Sequence, residues 1–150
     1  MKKFGLYAFN KSHAAGYANI SVKTAWLVYY YPKEYMTATL NSFITKADKI
    51  RFHLGVCRKK GITILPPDMN ASVKRFKVEA DGIRFGLMGI RNMGKLSENV
   101  MLERQVRGPF KGLQDFVERM GVHEKINKRA LEALTFAGHL MGLVGQGKQN

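Results

Sequence analysis

The stretch "FNKSHA" gathers four polar side chains whose chemistry suits the binding of an anion. Asn10, Lys11, Ser12 and His13 supply an amide, an ammonium group, a hydroxyl and an imidazole at consecutive positions. A helix is predicted to begin in the same stretch, and the first N–H groups of a helix have no partner within it. The segment is therefore a candidate anion site, although an ordinary capped helix start explains the same residues equally well.

The segment "GIRNMGKLSENVM" gives a second candidate, because a tight turn ending in Gly94 leads into a predicted helix. Free N–H groups and the positive end of the helix dipole form the geometry that receives a phosphate. Asparagine tolerates the positive φ that such a turn requires. The pattern predicts DNA-backbone contacts without base reading, and the alternative is a plain helix connection with solvated basic residues. The candidate residues are Arg91, Asn92, Met93, Gly94 and Lys95.

A third helix start lies in "NKRALEAL", where Asn127 can cap and Lys128 and Arg129 can reach a phosphate. A capped surface helix without a ligand explains this segment as well.

The charge balance favours a polyanionic partner. The chain has 150 residues, with 25 Lys and Arg against 11 Asp and Glu, and a formal net charge of +14. No fold requires this excess, so nucleic acid is the first expected partner and an anionic membrane surface the second. No apolar run approaches the length of a bilayer span, which favours a cytoplasmic protein without a membrane partner.

Catalytic patterns are weak in this sequence. The aspartates are scattered, with no acidic pair to hold the two metal ions of phosphoryl transfer, and there is no glycine-rich P-loop. The histidines and the single Cys57 lack the spacing of a zinc site. Cys57 as a nucleophile is less favoured than Cys57 as buried packing. We assign no catalytic and no metal-binding residue, and whether the chain belongs to an enzyme stays open.

Periodicity predicts a mostly α-helical chain with a small β-hairpin. Helices are expected at residues 12–31, from Pro32 onward, at 47–60 with Gly61 as the stop, and at 95–104, 113–120 and 128–137. One stripe of the first helix, which includes Tyr17, Val22 and Tyr29, is expected to face a core. Alternation over residues 73–87 predicts a two-stranded element turning at Asp81 and Gly82. The expected division is a helical subdomain at 1–70, the hairpin at 71–88, two helix-hairpin-helix units at 89–140 and a flexible tail at 141–150.

Six segments together resemble the alpha subunit of bacterial DNA polymerase III, the C-family replicative polymerases. They are "YAFNKSHAAGYANISVKTAWL", "YYP", "ILPPDMN", "GIRFGLMGIRNMG", "GPFKGLQDF" and "NKRALEALTFAG", in this order, across residues 4–138. The first is highly specific to that family, whereas each later segment alone is weak.

The resemblance implies the polymerase fingers followed by a tandem helix-hairpin-helix part that grips duplex template-primer DNA. It places the residues Asn10 to His13 near the triphosphate of an incoming deoxynucleoside triphosphate, with Lys11 as its cation. The residues Arg91 to Lys95 would hold template-primer phosphates. Catalytic aspartates and Mg²⁺ belong to the palm of the complete polymerase, so this chain alone is expected to bind no cofactor and to be inactive.

Two alternatives remain. One is a free-standing DNA-binding or polymerase-interfering module that touches no nucleotide. The other is a basic face that contacts a protein.

Overall fold

The computed structural model describes residues 11–94 and 96–121. Three helices come first, then three short strands, then two further helices. The helices are α1 (Lys11–Tyr30), α2 (Pro32–Ser42), α3 (Ala47–Lys59), α4 (Leu96–Arg107) and α5 (Leu113–Gly121). The strands are β1 (Ile64–Leu65), β2 (Lys77–Glu79) and β3 (Gly82–Arg84), and one 3-10 turn covers Leu87–Gly89. This confirms the mostly helical fold with a small β element.

Proline and glycine set two of the helix boundaries. Pro32 is the first residue of α2, where its missing N–H is harmless. The helical hydrogen bonds continue on both sides of it, from Tyr31 N–H to Leu27 O at 2.9 Å and from Tyr35 N–H to Tyr31 O at 3.0 Å. Gly61 adopts φ 70° directly after α3, which ends that helix as predicted.

The expectation that a stripe of α1 faces a core was wrong. No residue of α1 is buried, and Tyr17, Val22 and Tyr29 of the predicted stripe are 61%, 69% and 77% exposed. The physical reason lies in the connection at Pro32, because α1 leads directly into the first residue of α2 and makes its main contacts with that helix. The apolar residues of α1 do recur at helical spacing, but no described part of the chain buries them.

The β element has three strands rather than the predicted two. β2 and β3 form the expected antiparallel hairpin, with Glu79 opposite Gly82, and β1 adds parallel to β3 with Ile64 opposite Ile83. The two-residue loop is Ala80 and Asp81, one position earlier than predicted. Gly82 belongs to the strand, and glycine is needed there because a Cβ would lie 2.4 Å from Thr63 O.

Two hydrophobic clusters stabilise the described residues. The first joins α2, α3 and the sheet around Leu40, Cys57 and Ile83. The second joins the 3-10 turn, α4 and α5 around Leu87, Val100 and Phe116. Phe85 packs against both clusters, so the β3 end couples the two halves of the fold.

Two asparagine side chains tie loops to these clusters. The Asn41 side-chain amide donates to Phe76 O at 3.0 Å, and its oxygen accepts from the Phe76 N–H at 2.9 Å. Asn70 makes the same pair of bonds with Phe110, at 2.9 and 2.8 Å. Phe76 and Phe110 lie outside regular secondary structure, so their backbone N–H and C=O groups have no strand or helix partner. Each asparagine side chain satisfies both groups of one phenylalanine.

A buried arginine fixes the angle between α4 and α5. The Arg119 guanidinium donates to Glu103 Oε2 at 3.2 Å, to Glu103 O at 2.8 Å and to Gly108 O at 3.0 Å. It also lies 4.3 Å from the centroid of the Phe110 ring. Gly108 has φ 77°, a backbone conformation that glycine adopts without steric strain because it has no Cβ. The network therefore holds the last turn of α5 against α4 and against the turn that connects the two helices.

Several predicted boundaries shifted or lie outside the described residues. α4 ends three residues later than expected, and α5 extends one residue further. The predicted helix at 128–137 and the tail at 141–150 fall outside. Among residues 11–94 and 96–121, no helix has the length and apolar character that a bilayer crossing requires.

Candidate nucleic-acid interface

The turn at residues 90–94, called here the 90–94 turn, projects its polar groups into solvent. Ile90 and Met93 are buried and anchor it to the second cluster. The Met93 N–H donates to Ile90 O at 3.2 Å, which closes the turn. Arg91, Asn92 and Gly94 are exposed between and beside these anchors. The turn therefore combines two buried positions, 90 and 93, with three exposed positions within five residues.

Asn92 has φ 67°, the only positive φ of a non-glycine residue in the described part of the chain. Asparagine reaches this left-handed region more easily than other side-chain-bearing residues. Asn92 thus adopts the positive φ that we expected it to tolerate. This conformation directs the chain from Ile90 toward α4.

Nothing inside the described structure requires position 94 to be glycine. A Cβ built on Gly94 meets no atom within 4 Å, and its φ is not positive. No described residue accepts a hydrogen bond from the Gly94 N–H. By contrast, a Cβ at Gly86 would lie 2.4 Å from the backbone of Arg75. The open space and available N–H at Gly94 allow an external group to approach the backbone closely.

The start of α4 lies directly after this turn and is firmly held. The Ser97 N–H donates to Met93 O at 2.8 Å, and the Ser97 hydroxyl donates to Gly94 O at 2.6 Å. Leu96 and Val100 are buried in the second cluster. The N-terminal end of the helix dipole is therefore fixed beside Arg91 and Gly94, as a phosphate site requires.

Lys74 offsets the one carboxylate in the first turn of α4. Its ammonium group forms an ion pair and hydrogen bond with Glu98, which lowers the pKa of that carboxyl. An unpaired carboxylate here would repel an approaching phosphate. Sequence reasoning missed Lys74, because 24 residues separate the two partners and no local pattern links them.

Lys11, Ser12 and His13 open α1 and are exposed. The His13 ring lies edge-on to Tyr17, with 4.6 Å between the ring centroids. The first turn of α1 contains no acidic residue, whereas α2, α3, α4 and α5 each have one. The positive end of the α1 dipole is therefore not offset by an acidic side chain in the first turn of that helix.

The structure brings together only part of the predicted site set. Arg91, Asn92 and Gly94 form one exposed surface, and Met93 anchors it from inside. Lys11 to His13 belong to α1, whose main contacts are with α2. The remaining candidates Asn10, Lys95, Lys128 and Arg129 lie outside the described residues.

Cys57 is buried in the first cluster, and burial raises the pKa of its thiol. A protonated, enclosed thiol is a poor nucleophile. Among the described residues, no three His, Cys, Asp or Glu side chains come together in a group that could hold a metal ion.

Comparison with known proteins identifies a family and several relatives of this chain. The family model of the helix-hairpin-helix motif matches residues 61–149, which is more than half of the chain. The DNA polymerase III subunit alpha of Neisseria meningitidis serogroup B is 46% identical over 140 residues, covering 92% of this chain and 12% of that subunit. The Thermus aquaticus subunit alpha is 43% identical, with 93% and 12% covered, and that of Vibrio cholerae is 39% identical with the same coverage.

These relatives are all bacterial proteins, and the chain spans about 12% of their length. The match extends through both the α1–α3 region and the helix-hairpin-helix region. The chain therefore belongs to the helix-hairpin-helix motif family, and it is homologous to one segment of the DNA polymerase III alpha subunits.

Proposed function

We propose that this chain is the part of a replicative DNA polymerase that holds template-primer DNA through the 90–94 turn. The observation that carries the proposal is the turn itself. Gly94 is open to an approaching group, its N–H has no acceptor among the described residues, and Arg91 is exposed next to it. A phosphate oxygen is the ligand that such a helix start receives best.

The proposed contact has no means of reading bases. Backbone N–H groups and an arginine position a duplex through its phosphates, which carry no direct sequence information. The net charge of +14 adds attraction that acts over the whole duplex. The chain should therefore bind duplex DNA with little sequence preference.

The experiment is a titration of the chain with a fluorescent 20-base-pair duplex at several salt concentrations. If about six phosphates are contacted, the affinity should fall roughly a thousandfold between 50 and 200 mM salt. A second duplex of unrelated sequence serves as the control and should bind equally. An affinity that ignores ionic strength would contradict the proposal.

We further propose that Lys11, Ser12 and His13, with Asn10, bind the triphosphate of the incoming nucleotide. The support is the exposure of these residues at the start of α1 and the absence of an acidic residue in that first turn. Lys11 would supply the cation, and the neighbouring groups would orient the phosphate oxygens.

This second proposal is tested by replacing the matching segment of the Neisseria meningitidis subunit with this chain and measuring primer extension. Lys11→Ala should raise the KM for nucleotide at least tenfold, since a charge-assisted contact is worth about 1.5 kcal/mol or more. Lys49→Ala, an exposed lysine on α3, is the matched control and should leave the KM unchanged. Unaltered kinetics in both variants would overturn the role of Lys11.

Nucleotidyl transfer would then be carried out by the palm of the complete polymerase. Mg²⁺ would be held there, and this chain's residues would position DNA and nucleotide toward it. A cytoplasmic location follows from the same proposal.

The second candidate function is a free-standing DNA-binding or polymerase-interfering module. The observation that favours it is that Arg91, Asn92 and Gly94 form an exposed surface of their own at the 90–94 turn, whereas Lys11 to His13 belong to α1. Under this alternative, Lys11→Ala leaves nucleotide incorporation unaffected while DNA binding persists.

A further inference from the structure

The outer side of α3 carries an exposed phenylalanine beside two arginines and a lysine, and neither the duplex contact nor the nucleotide contact uses it. Phe52 is 66% exposed, and Arg51, Arg58 and Lys59 are exposed as well. Residues 51 and 52 lie about two helical turns before residues 58 and 59. At about 100° per residue, Phe52 and Lys59 lie on one side of α3, roughly opposite the buried residues 50 and 57, with the two arginines beside them. We call the surface formed by residues 51, 52, 58 and 59 the α3 outer face.

A row of three rings holds Phe52 in place. The His53 ring stacks on Phe43, which directly follows α2, with 5.2 Å between the ring centroids and 9° between the planes. The same His53 ring meets Phe52 edge-on, with the centroids 5.2 Å apart and an angle of 81°. Phe52 therefore stays exposed while its neighbours restrict its rotation. A ring that is already ordered loses little conformational entropy when another ring stacks on it.

The α3 outer face carries a net positive charge. Asp48 is the one acidic residue of α3, and it lies 3.5 Å from Arg51 in an ion pair whose two side chains are both highly exposed. Such an exposed pair is weak, so Arg51 can exchange this partner for another anion. No carboxylate among the described residues forms an ion pair with Arg58 or Lys59. The helix dipole accounts for cations in the last turn of α3, but it does not account for an exposed phenylalanine two turns earlier.

Arg58 also lines an open groove of about 380 Å³ where α3 leads into β1. The other residues of this groove are Gly61, Ile62, Thr63 and Ile64. β1 lies at an edge of the described sheet, because only β3 pairs with it. The groove therefore continues the α3 outer face beyond the end of the helix, and an extended ligand can run from Phe52 past Arg58 into it.

We propose that the α3 outer face binds single-stranded nucleic acid. Phe52 stacks on an unpaired base, and Arg58 and Lys59 contact the phosphates that follow it. An aromatic platform with neighbouring cations is the arrangement by which proteins hold single strands without reading their sequence. A duplex keeps its bases inside the stack and offers none to Phe52. The inference therefore goes beyond the duplex contact proposed for the 90–94 turn and does not depend on it.

Two other occupants fit the α3 outer face less well. A second copy of the chain would bring Arg58 and Lys59 of both copies together, so like charges would meet without compensation. An acidic protein surface would neutralise these cations, but a carboxylate offers no flat ring to stack on Phe52. A nucleotide strand supplies both a negative backbone and a ring that stacks.

The test titrates the full chain with a fluorescent oligothymidylate of twelve nucleotides and, separately, with a blunt-ended 20-base-pair duplex, both read by anisotropy at 50 mM salt. Phe52→Ala should weaken oligothymidylate binding about tenfold, which is the value of one stacking contact, and change duplex binding less than twofold. Phe52→Trp should keep the affinity, because the indole ring also stacks. Tyr29→Ala removes a 77% exposed ring from α1 and is the matched control, which should alter neither affinity. Replacing Arg58 and Lys59 by glutamine should make oligothymidylate binding depend less steeply on salt, since two phosphate contacts are lost.

Equal oligothymidylate affinities for Phe52→Ala and the unsubstituted chain would overturn the inference. An equal loss of affinity for both ligands would also overturn it, because stacking on an unpaired base affects only the single strand. If polyglutamate displaces the oligothymidylate and Phe52→Ala does not change that competition, the surface takes an acidic protein and the inference is wrong.

A second measurement needs no variant. An oligonucleotide that carries 5-iodouracil in place of thymine is cross-linked to the chain with near-ultraviolet light, and the modified residue is identified by mass spectrometry. The main cross-link should fall on Phe52, whereas cross-links confined to the rings of α1 would refute the inference. The single strand reads the α3 outer face and the duplex reads the 90–94 turn, so this inference and the proposed function can fail separately.

Discussion

Replacement of Gly94 by valine separates the demands of the fold from those of a ligand. A Cβ at Gly94 meets nothing within 4 Å, and the residue does not have positive φ. The free energy of unfolding should therefore change by no more than about 0.5 kcal/mol, as for other exposed positions. The valine side chain would occupy the space through which a phosphate reaches the N–H. Loss of one charge-assisted hydrogen bond costs about 1.5 kcal/mol, or about tenfold in DNA affinity.

The assay pairs urea unfolding with anisotropy titration of a duplex at 50 mM salt. Gly55→Ala is the matched control, because a Cβ there also meets nothing and the residue lies within α3. It should raise the stability of the chain by about 0.5–1 kcal/mol through helix propensity and leave DNA binding unchanged. A Gly94→Val variant that binds DNA like the unsubstituted chain would refute the reasoning that the open space serves a ligand.

Three further predictions concern the residues that hold the turn between α4 and α5. Asn70→Ala removes two hydrogen bonds to the α4–α5 turn and should lower the free energy of unfolding by about 2 kcal/mol, measured by urea denaturation; an unchanged midpoint would contradict it. Arg119→Leu removes the guanidinium 3.2 Å from the buried Glu103 carboxylate while Arg107 remains 3.7 Å away, and it should lower the free energy of unfolding by about 3 kcal/mol; the double variant that also carries Glu103→Leu should recover part of this loss in the same assay. The Lys111 N–H, and then Arg119, hold the pKa of Asp115 below its ordinary value, so this contribution is full above about pH 4 and is lost as the pH falls through the lowered pKa. Asp115→Asn should therefore flatten the dependence of the urea midpoint on pH between about pH 5 and pH 2, and a dependence equal to that of the unsubstituted chain would count against this linkage.

Local chemistry explains what the sequence predicted well. Pro32 and Gly61 set helix boundaries through backbone restrictions that act within one or two residues. Asn92 likewise takes the positive φ that its side chain tolerates. These signals depend only on neighbouring residues, so they can be read without knowing the fold.

Contacts between distant residues explain what it missed. β1 is only two residues long and exists because β3 offers its free edge, which no local pattern in "ITIL" reveals. Lys74 meets Glu98 across 24 positions for the same reason. The apolar spacing of α1 predicted burial, but periodicity identifies a face and does not say which surface covers it.

The most direct test of the account is backbone amide NMR of the isotope-labelled chain with a 20-base-pair duplex added at low salt. If a phosphate binds at the start of α4, the largest shift changes should occur at the N–H groups of Asn92 and Gly94, and they should reverse as salt is added. Ala38 on α2 and Gly55 on α3 should change little. Shifts confined to α2 and α3, with Gly94 unaffected, would contradict a DNA contact at the 90–94 turn.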